Sequence, residues 1–424
     1  MPPRAIRHPA VTDRISHTWS SDTRVAPASP TGNPDMHDRL LRPRTAAPRR
    51  VSPRGIATAA ALLALALTAC GDTTPAAADT PPPDDAPAEA AMPNAPTDAG
   101  IHGTWRVLPS SPGSNDATTE RAGRDGAATT PTARHENAFV ALDGRLYLLG
   151  GRGDRPLEIF DPATGTWTRG ATPPLELHHV QAIAHDGRLW LLGALTGAFP
   201  AEPPVPAVWT YDPAADAWAE GASIPEHRRR GASGVAVHDG VFYLVGGLTG
   251  GHNGGYVAWL DAFDPASGQW RELADAPRPR DHFHAAVLDG RLYAAGGRTS
   301  SHATGEGMSL TVTAVDVYDI AAGTWSTLDD PLPTARSGNA TVAYDGRIFV
   351  LGGESEAQTP AHDEVEAWNP ALARWEHLPS LPTGRHGTQA TLHADALHIA
   401  AGSGDRGGGP ELDDHLVFAT EDVP

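Results

Sequence analysis

From about residue 103 onward the chain alternates short apolar runs with polar turns, and the alternation follows a repeated grammar. In the first copy Asp143-Gly144 precedes the run Leu146-Tyr147-Leu148-Leu149, which Gly150-Gly151 closes; Phe160-Asp161-Pro162 and Trp167 follow. An Asp-Gly pair supplies the two positive-φ residues of a tight hairpin. A run that is apolar at every position predicts a strand covered on both faces. A glycine doublet marks a place where backbones approach too closely for a side chain. The Asp-Gly step returns at 186, 239, 289 and 345, with Ala394-Asp395 as an altered sixth copy. The doublet returns as Gly246-Gly247, Gly296-Gly297 and Gly352-Gly353, and degrades to Gly193-Ala194 and Ala401-Gly402. Trp167, Trp218, Trp270, Trp325 and Trp375 stand 51, 52, 55 and 50 residues apart. A period near 50 built from short strands predicts a β-propeller rather than a helical solenoid.

These copies resemble the kelch repeat, and the resemblance covers about 104–418. It implies a four-stranded antiparallel sheet, strands a to d, for each unit. The sixth copy stops after His415-Leu416-Val417-Phe418 and lacks a d strand, whereas Gly103-Thr104-Trp105 matches Gly165-Thr166-Trp167. The N-terminal strand, 103–108, is therefore expected to complete blade 6. The fold class is all-β: a six-bladed kelch-type propeller over 102–424, closed by its N-terminal strand. Pro109 to Thr132, polar and rich in Gly, Ala and Thr, reads as a mobile loop. The repeated tryptophans are expected in the core, with Trp270→Ala costing about 3–5 kcal/mol.

Residues 1–69 read as a leader. Ile56 to Ala69 is an apolar run preceded by Arg44, Arg49, Arg50 and Arg54, with the length and basic flank of a signal peptide. Met36 gives a more ordinary start than Met1. Leu67-Thr68-Ala69-Cys70 resembles the bacterial lipobox, which implies lipidation at Cys70. Gly71 in place of Asp then favours the outer membrane, on its periplasmic or surface side. Residues 70–101, rich in Ala, Pro, Asp and Thr, read as a disordered tether.

Charge and composition remove several classes of function. The net charge is −19; the first 69 residues hold 10 Arg and 4 acidic residues, so the remainder carries −25. So acidic a body repels nucleic acid and anionic lipid, leaving the lipid anchor as the expected membrane contact. Lysine is absent, which excludes Schiff-base and P-loop lysine chemistry. Cys70 is the only cysteine, so neither a disulfide within the chain nor a Cys-X-X-Cys centre can form. No helix follows the glycine-rich stretch 246–251, so no nucleotide site is read there.

In such a blade the a–b and c–d turns share one end, and here they are short and uniform. Length variation falls in the b–c loops 195–206, 248–257, 299–312, 354–363 and 403–411. That end is the expected binding face. Ten residues before each turn glycine, or its counterpart Asp395, stand Arg134, Leu177, Arg230, Arg280, Arg336 and Arg385. Beside them come His135, His178, His179, Asp281, His282 and His386, and further in Asn137, His284 and Asn339. An Arg/His cluster on an acidic body reads as an electropositive funnel for an acidic ligand, with the arginines pinned in the framework as the alternative. Glu136 and Asp281 are the candidate acid/base groups. His135, His178 and His386 hold equivalent positions in three blades, yet histidine also lines many polar surfaces; no metal and no cofactor is expected.

Among kelch propellers the galactose oxidases use a copper centre with a Cys–Tyr crosslink, which this chain cannot make because its cysteine lies in the leader. Sialic acid epimerases of bacteria share the six-bladed plan. The expected function is an envelope lipoprotein that binds a protein or glycan ligand at the loop face. The alternative is an isomerase of the epimerase or mutarotase kind acting on an acidic sugar. Blade 2, with Leu177 in place of arginine, is the expected side for a pocket to open.

Overall fold

The structure is a computed structural model that describes residues 101–108 and 128–420. The leader, Cys70, the tether and residues 109–127 of the first connection lie outside the described residues. Six four-stranded sheets form, five of them from strands in chain order. Blade 1 runs Asn137–Leu142, Arg145–Gly150, Glu158–Asp161 and Thr166–Arg169. Neighbouring strands are antiparallel throughout. In the sixth sheet the N-terminal strand Gly103–Val107 pairs with His415–Thr420, setting Trp105 opposite Phe418 as Trp167 stands opposite Phe160. The ring is closed as the sequence implies. Among the described residues no helix is long and apolar enough to cross a membrane.

The hairpin chemistry follows the residues. Asp143 and Gly144 take φ of 49° and 78°, and Ala394-Asp395 holds 48° and 59° without glycine. In strand b of blade 1, Leu146, Leu148 and Leu149 are fully buried because blades stack on both faces. Six larger apolar clusters fill the gaps, one for each pair of neighbouring blades. Stability is thus spread around the ring rather than held in one central core.

The tryptophans correct one expectation. Trp167 alone among the five is fully buried, packed on Phe139, Phe160 and the His415 ring. Trp218, Trp270, Trp325 and Trp375 are half-buried, because strand d is the outer edge of its blade. Three of these outer indoles donate a hydrogen bond to the preceding blade: Trp218 to Ala171 O (2.7 Å), Trp325 to Ala274 O (2.8 Å) and Trp375 to Asp330 O (3.2 Å). Trp105 does the same to Pro379 O at 2.9 Å. Trp270 Nε1 has no partner. These residues tie blades together at the rim, and a core-sized penalty belongs to Trp167.

Candidate functional site

The five repeated arginines do not reach the axis. Each is at most 1% exposed and folds back into its own blade. Arg134 donates to Gly150 O (3.1 Å), Pro156 O (2.9 Å) and Glu158 Oε2 (2.6 Å). Arg280 donates to Ala294 O (2.9 Å), Gly296 O (2.9 Å) and Asp316 Oδ2 (2.6 Å). Arg230 pairs with Asp261 at 2.6 Å, Arg336 with Glu366 at 2.8 Å and Arg385 with Asp414 at 2.8 Å. A guanidinium satisfies several carbonyls at the end of strand b only because a buried carboxylate balances its charge. Burial brings Arg134, Arg230 and Arg280 down to about 10, against the pull of those carboxylates, so all three remain cations at neutral pH. The arginine-lined funnel is therefore corrected: these side chains are framework. Blade 2 lacks both partners, with Leu177 and Trp209 in their places.

Two residues further along, the chain builds a different ring. Glu136, His179, Ala232, His282, Gly338 and Gly387 all adopt left-handed backbone, with φ from 51° to 65°. That conformation turns each peptide tangentially, so its N–H meets the carbonyl of its counterpart in the preceding blade. His179 donates to Glu136 O (3.0 Å), Ala232 to His179 O (3.1 Å), His282 to Ala232 O (3.0 Å), Gly338 to His282 O (2.5 Å) and Gly387 to Gly338 O (2.9 Å). Asn137 N–H completes the circle on Gly387 O at 3.1 Å. Glycine suits this backbone, whereas a side chain costs about 1–2 kcal/mol in it. Glu136, His179 and His282 stand there regardless, and their side chains meet near the axis.

His179 Nε2 lies 3.4 Å from Glu136 Oε2. His282 Nε2 lies 3.1 Å from Nε2 of His252, which arrives on the b–c loop of blade 3. The far nitrogens are anchored: His282 Nδ1 to Asp281 Oδ1 (2.5 Å), His252 Nδ1 to Glu202 Oε1 (3.0 Å) and His179 Nδ1 to His178 Nδ1 (2.6 Å). Burial holds His179 and His282 well below the ordinary imidazole value, so both are neutral near pH 7. Burial pushes the Asp281 carboxyl up to about 6. Burial also raises Glu202 and Glu354, but bonds from His252 and Arg152 hold the first well below the carboxylate range, and His386 with Arg298 hold the second at about 2. Around the mouth, then, the cations Arg152 and Arg298 are paired with Glu202 and Glu354 at 2.8 and 2.5 Å. The mouth is a balanced polar network, not an electropositive funnel.

The other expected residues divide by depth. Asn137, His284 and Asn339 line a cavity of about 20 Å³ below the ring, with room for about one water. Asn137 Oδ1, His284 Nδ1 and Asn339 Oδ1, all without protein partners, lie along this channel. His135, His178 and His386 do not converge: His135 Nδ1 binds Glu411 (2.9 Å), His178 Nε2 binds Gly197 O (3.1 Å) and His386 Nε2 binds Asp405 O (3.0 Å). Above the mouth the b–c loops enclose a cavity of about 370 Å³, lined by Phe199, His252, Arg298, Ser300, His302 and Met308 among others. Sequence reasoning missed His252, Glu202, Arg298 and Phe199. A readable trace existed for Arg298 and Glu354, which stand immediately after a glycine doublet, where an apolar strand suddenly carries charge.

Residues 116–356 match the family model described as the Attractin/LZTR1 beta-propeller, and residues 335–382 match the Kelch motif. The chain is 31% identical over 198 residues to Kelch-like protein terF of Aspergillus terreus, covering 45% of this chain and 42% of that protein. It is 27% identical over 286 residues to Kelch-like protein 35 of Mus musculus, covering 67% of this chain and 43% of the relative. Alpha-scruin of Limulus polyphemus is 28% identical over 208 residues, covering 46% of this chain and 21% of the relative. The matches thus span less than half of each relative. The solved structure of YjhT superimposes with a TM-score of 0.57 and 17% identity, covering 68% of this chain and 96% of that one, a likeness of fold.

Proposed function

Because the chain belongs to the Attractin/LZTR1 beta-propeller family of kelch propellers, we propose that it is a binding propeller taking a protein or glycan ligand on its loop face. The observation that carries this reading is the cavity of about 370 Å³ above the axis. Its rim holds the exposed ring of Phe199, 5.0 Å from both the His252 and the His302 rings, and the flexible Met308. Its depth holds the buried polar groups of Arg298 and Ser300. Beside Phe199 and Met308 the lining is polar, including His252, His302, Ser309, Glu356 and Arg406, a makeup that suits a polar ligand, and this volume suits one sugar ring or one large side chain. The test is capture on a glycan array and from an envelope extract, comparing the full chain with Phe199→Ser. Phe199 is 52% exposed, so the substitution leaves the fold intact. Capture at least about tenfold weaker, with an unchanged melting curve, is expected; equal capture would remove the cavity from the reading.

The place of action belongs to the same proposal: export, lipidation at Cys70 and attachment to the outer membrane. Incorporation of labelled palmitate, lost in Cys70→Ser, is the expected result, and label retained in that variant would contradict it. A second reading, interconversion of the anomers or epimers of an acidic sugar, draws on the Glu136 carboxylate 3.4 Å from His179 Nε2. Proton NMR of sialic acid anomers with the protein tests it, and no rate above that in buffer would reject it.

A further inference from the structure

Three imidazoles from three blades point the same kind of atom at one spot. His179 and His282 come from the hydrogen-bonded ring, and His252 comes from the loop that crosses above it. One nitrogen from each lies within 4.8 Å of the other two, and the ring centroids are 4.8 to 5.1 Å apart. The partners of the outer nitrogens fix the tautomers. Carboxylates only accept when ionised, so Asp281 and Glu202 require protons on Nδ1 of His282 and His252. His178 Nε2–H donates to Gly197 O, which leaves His178 Nδ1 to accept from His179 Nδ1–H. Each of the three Nε2 atoms is then a bare lone pair facing the others.

Such an arrangement is unfavourable unless a positive charge lies among the lone pairs. His252 Nε2 and His282 Nε2 stand 3.1 Å apart with no proton left to share. His179 Nε2, in a side chain 1% exposed, has no hydrogen-bond partner at all. Imidazole nitrogens held by second-layer carboxylates are the donor set of zinc and neighbouring first-row ions. Three of them leave a fourth position open. Glu136 Oε2 is 3.4 Å from His179 Nε2.

We propose that His179, His252 and His282 bind one divalent transition-metal ion, of the zinc type, at the axial mouth, with Asp281, Glu202 and His178 as positioning residues. The site stands where no metal is expected from the sequence, beside His178 rather than on the His135, His178 and His386 positions. It stands on the geometry of the axis and does not need the ligand proposed above.

The full chain, stripped with EDTA and dialysed, is titrated with Zn²⁺ by calorimetry and with Co²⁺ by visible absorption. One equivalent per chain and the intense d–d bands of four-coordinate cobalt are expected. His252→Ala weakens binding by about 100-fold or more, since loss of a ligand exceeds the 10–100-fold cost of losing an outer partner. His135→Ala and His386→Ala leave it unchanged. His252 also holds the buried Glu202, so melting curves in EDTA are compared and the affinity is read on variants that remain folded at the titration temperature. No stoichiometric binding, or equal affinity in His252→Ala, overturns the site; an equal loss in His135→Ala does so as well. The readout contains no glycan or protein, so its failure is separate from failure of the loop-face reading.

Discussion

Two positions, two residues apart in the segments that lead into the six inner strands, divide the labour of this propeller. At the first, arginine recurs in blades 1, 3, 4, 5 and 6, each side chain fully buried and paired with a carboxylate of its own blade. At the second, the residues are Glu136, His179, Ala232, His282, Gly338 and Gly387, all left-handed and all bonded to the next blade. The first position repeats because each blade must satisfy its own strand ends. The second varies because any side chains there share one space, and a shared space calls for one constellation, with glycine or alanine elsewhere, rather than six copies. Repetition therefore marks architecture here, and variation at a strained position marks the candidate site.

The contrast can be broken most forcefully at the arginines. Arg336→Ala leaves Glu366, fully buried, without its cation, and is expected to cost about 3–5 kcal/mol in urea unfolding. Replacing both partners together, as blade 2 does with Leu177 and Trp209, is expected to recover most of that loss. A single variant within about 1 kcal/mol of wild type would mean that the arginine is not framework. Of the same size is Trp167→Ala, expected to cost about 3–5 kcal/mol, against about half of that for the half-buried Trp270→Ala. Equal losses would contradict the rim position of Trp270.

Buried imidazoles away from the axis give a pH-dependent comparison. Burial lowers His398 to about 4, with its Nδ1 3.0 Å from His415 Nε2 inside blade 6. The unfolded chain takes up this proton near pH 6.5 but the folded chain only near 4, so stability is full above 6.5 and falls as pH drops through that window. For this group the loss approaches about 3 kcal/mol by pH 4. His398→Phe is expected to flatten the denaturation profile between pH 6.5 and 4, and an unchanged profile would contradict the burial. The smallest effect sits on the axis. Glu136→Gly relieves a left-handed side chain, so stability should rise or stay within about 1 kcal/mol. A loss beyond about 2 kcal/mol would place Glu136 with the framework.

The fold was legible because its determinants are local. Asp143-Gly144 can form one kind of turn, a run such as Leu146–Leu149 can pack one way, and the missing sixth d strand had one matching segment in the chain. The arginines were legible as a repeat but not in direction. Their partners Glu158, Asp261, Asp316 and Glu366 each stand two residues before the aromatic of strand c, and blade 2 loses both members at once. That joint loss was readable, although pairing the two positions needed the register of strands a to c. His252 and Glu202 lie in b–c loops outside the repeat, where nothing local fixes the path of the chain. Their meeting with His179 and His282 depends on the left-handed ring, which only the assembled blades create.

Whether chemistry resides at the axis rather than among the arginines is most directly read from diffraction at the zinc absorption edge. Crystals of the protein grown with one equivalent of zinc are expected to give a single strong anomalous peak between the Nε2 atoms of His179, His252 and His282. An empty axis, with zinc only elsewhere, such as beside the His398–His415 pair, would contradict that assignment.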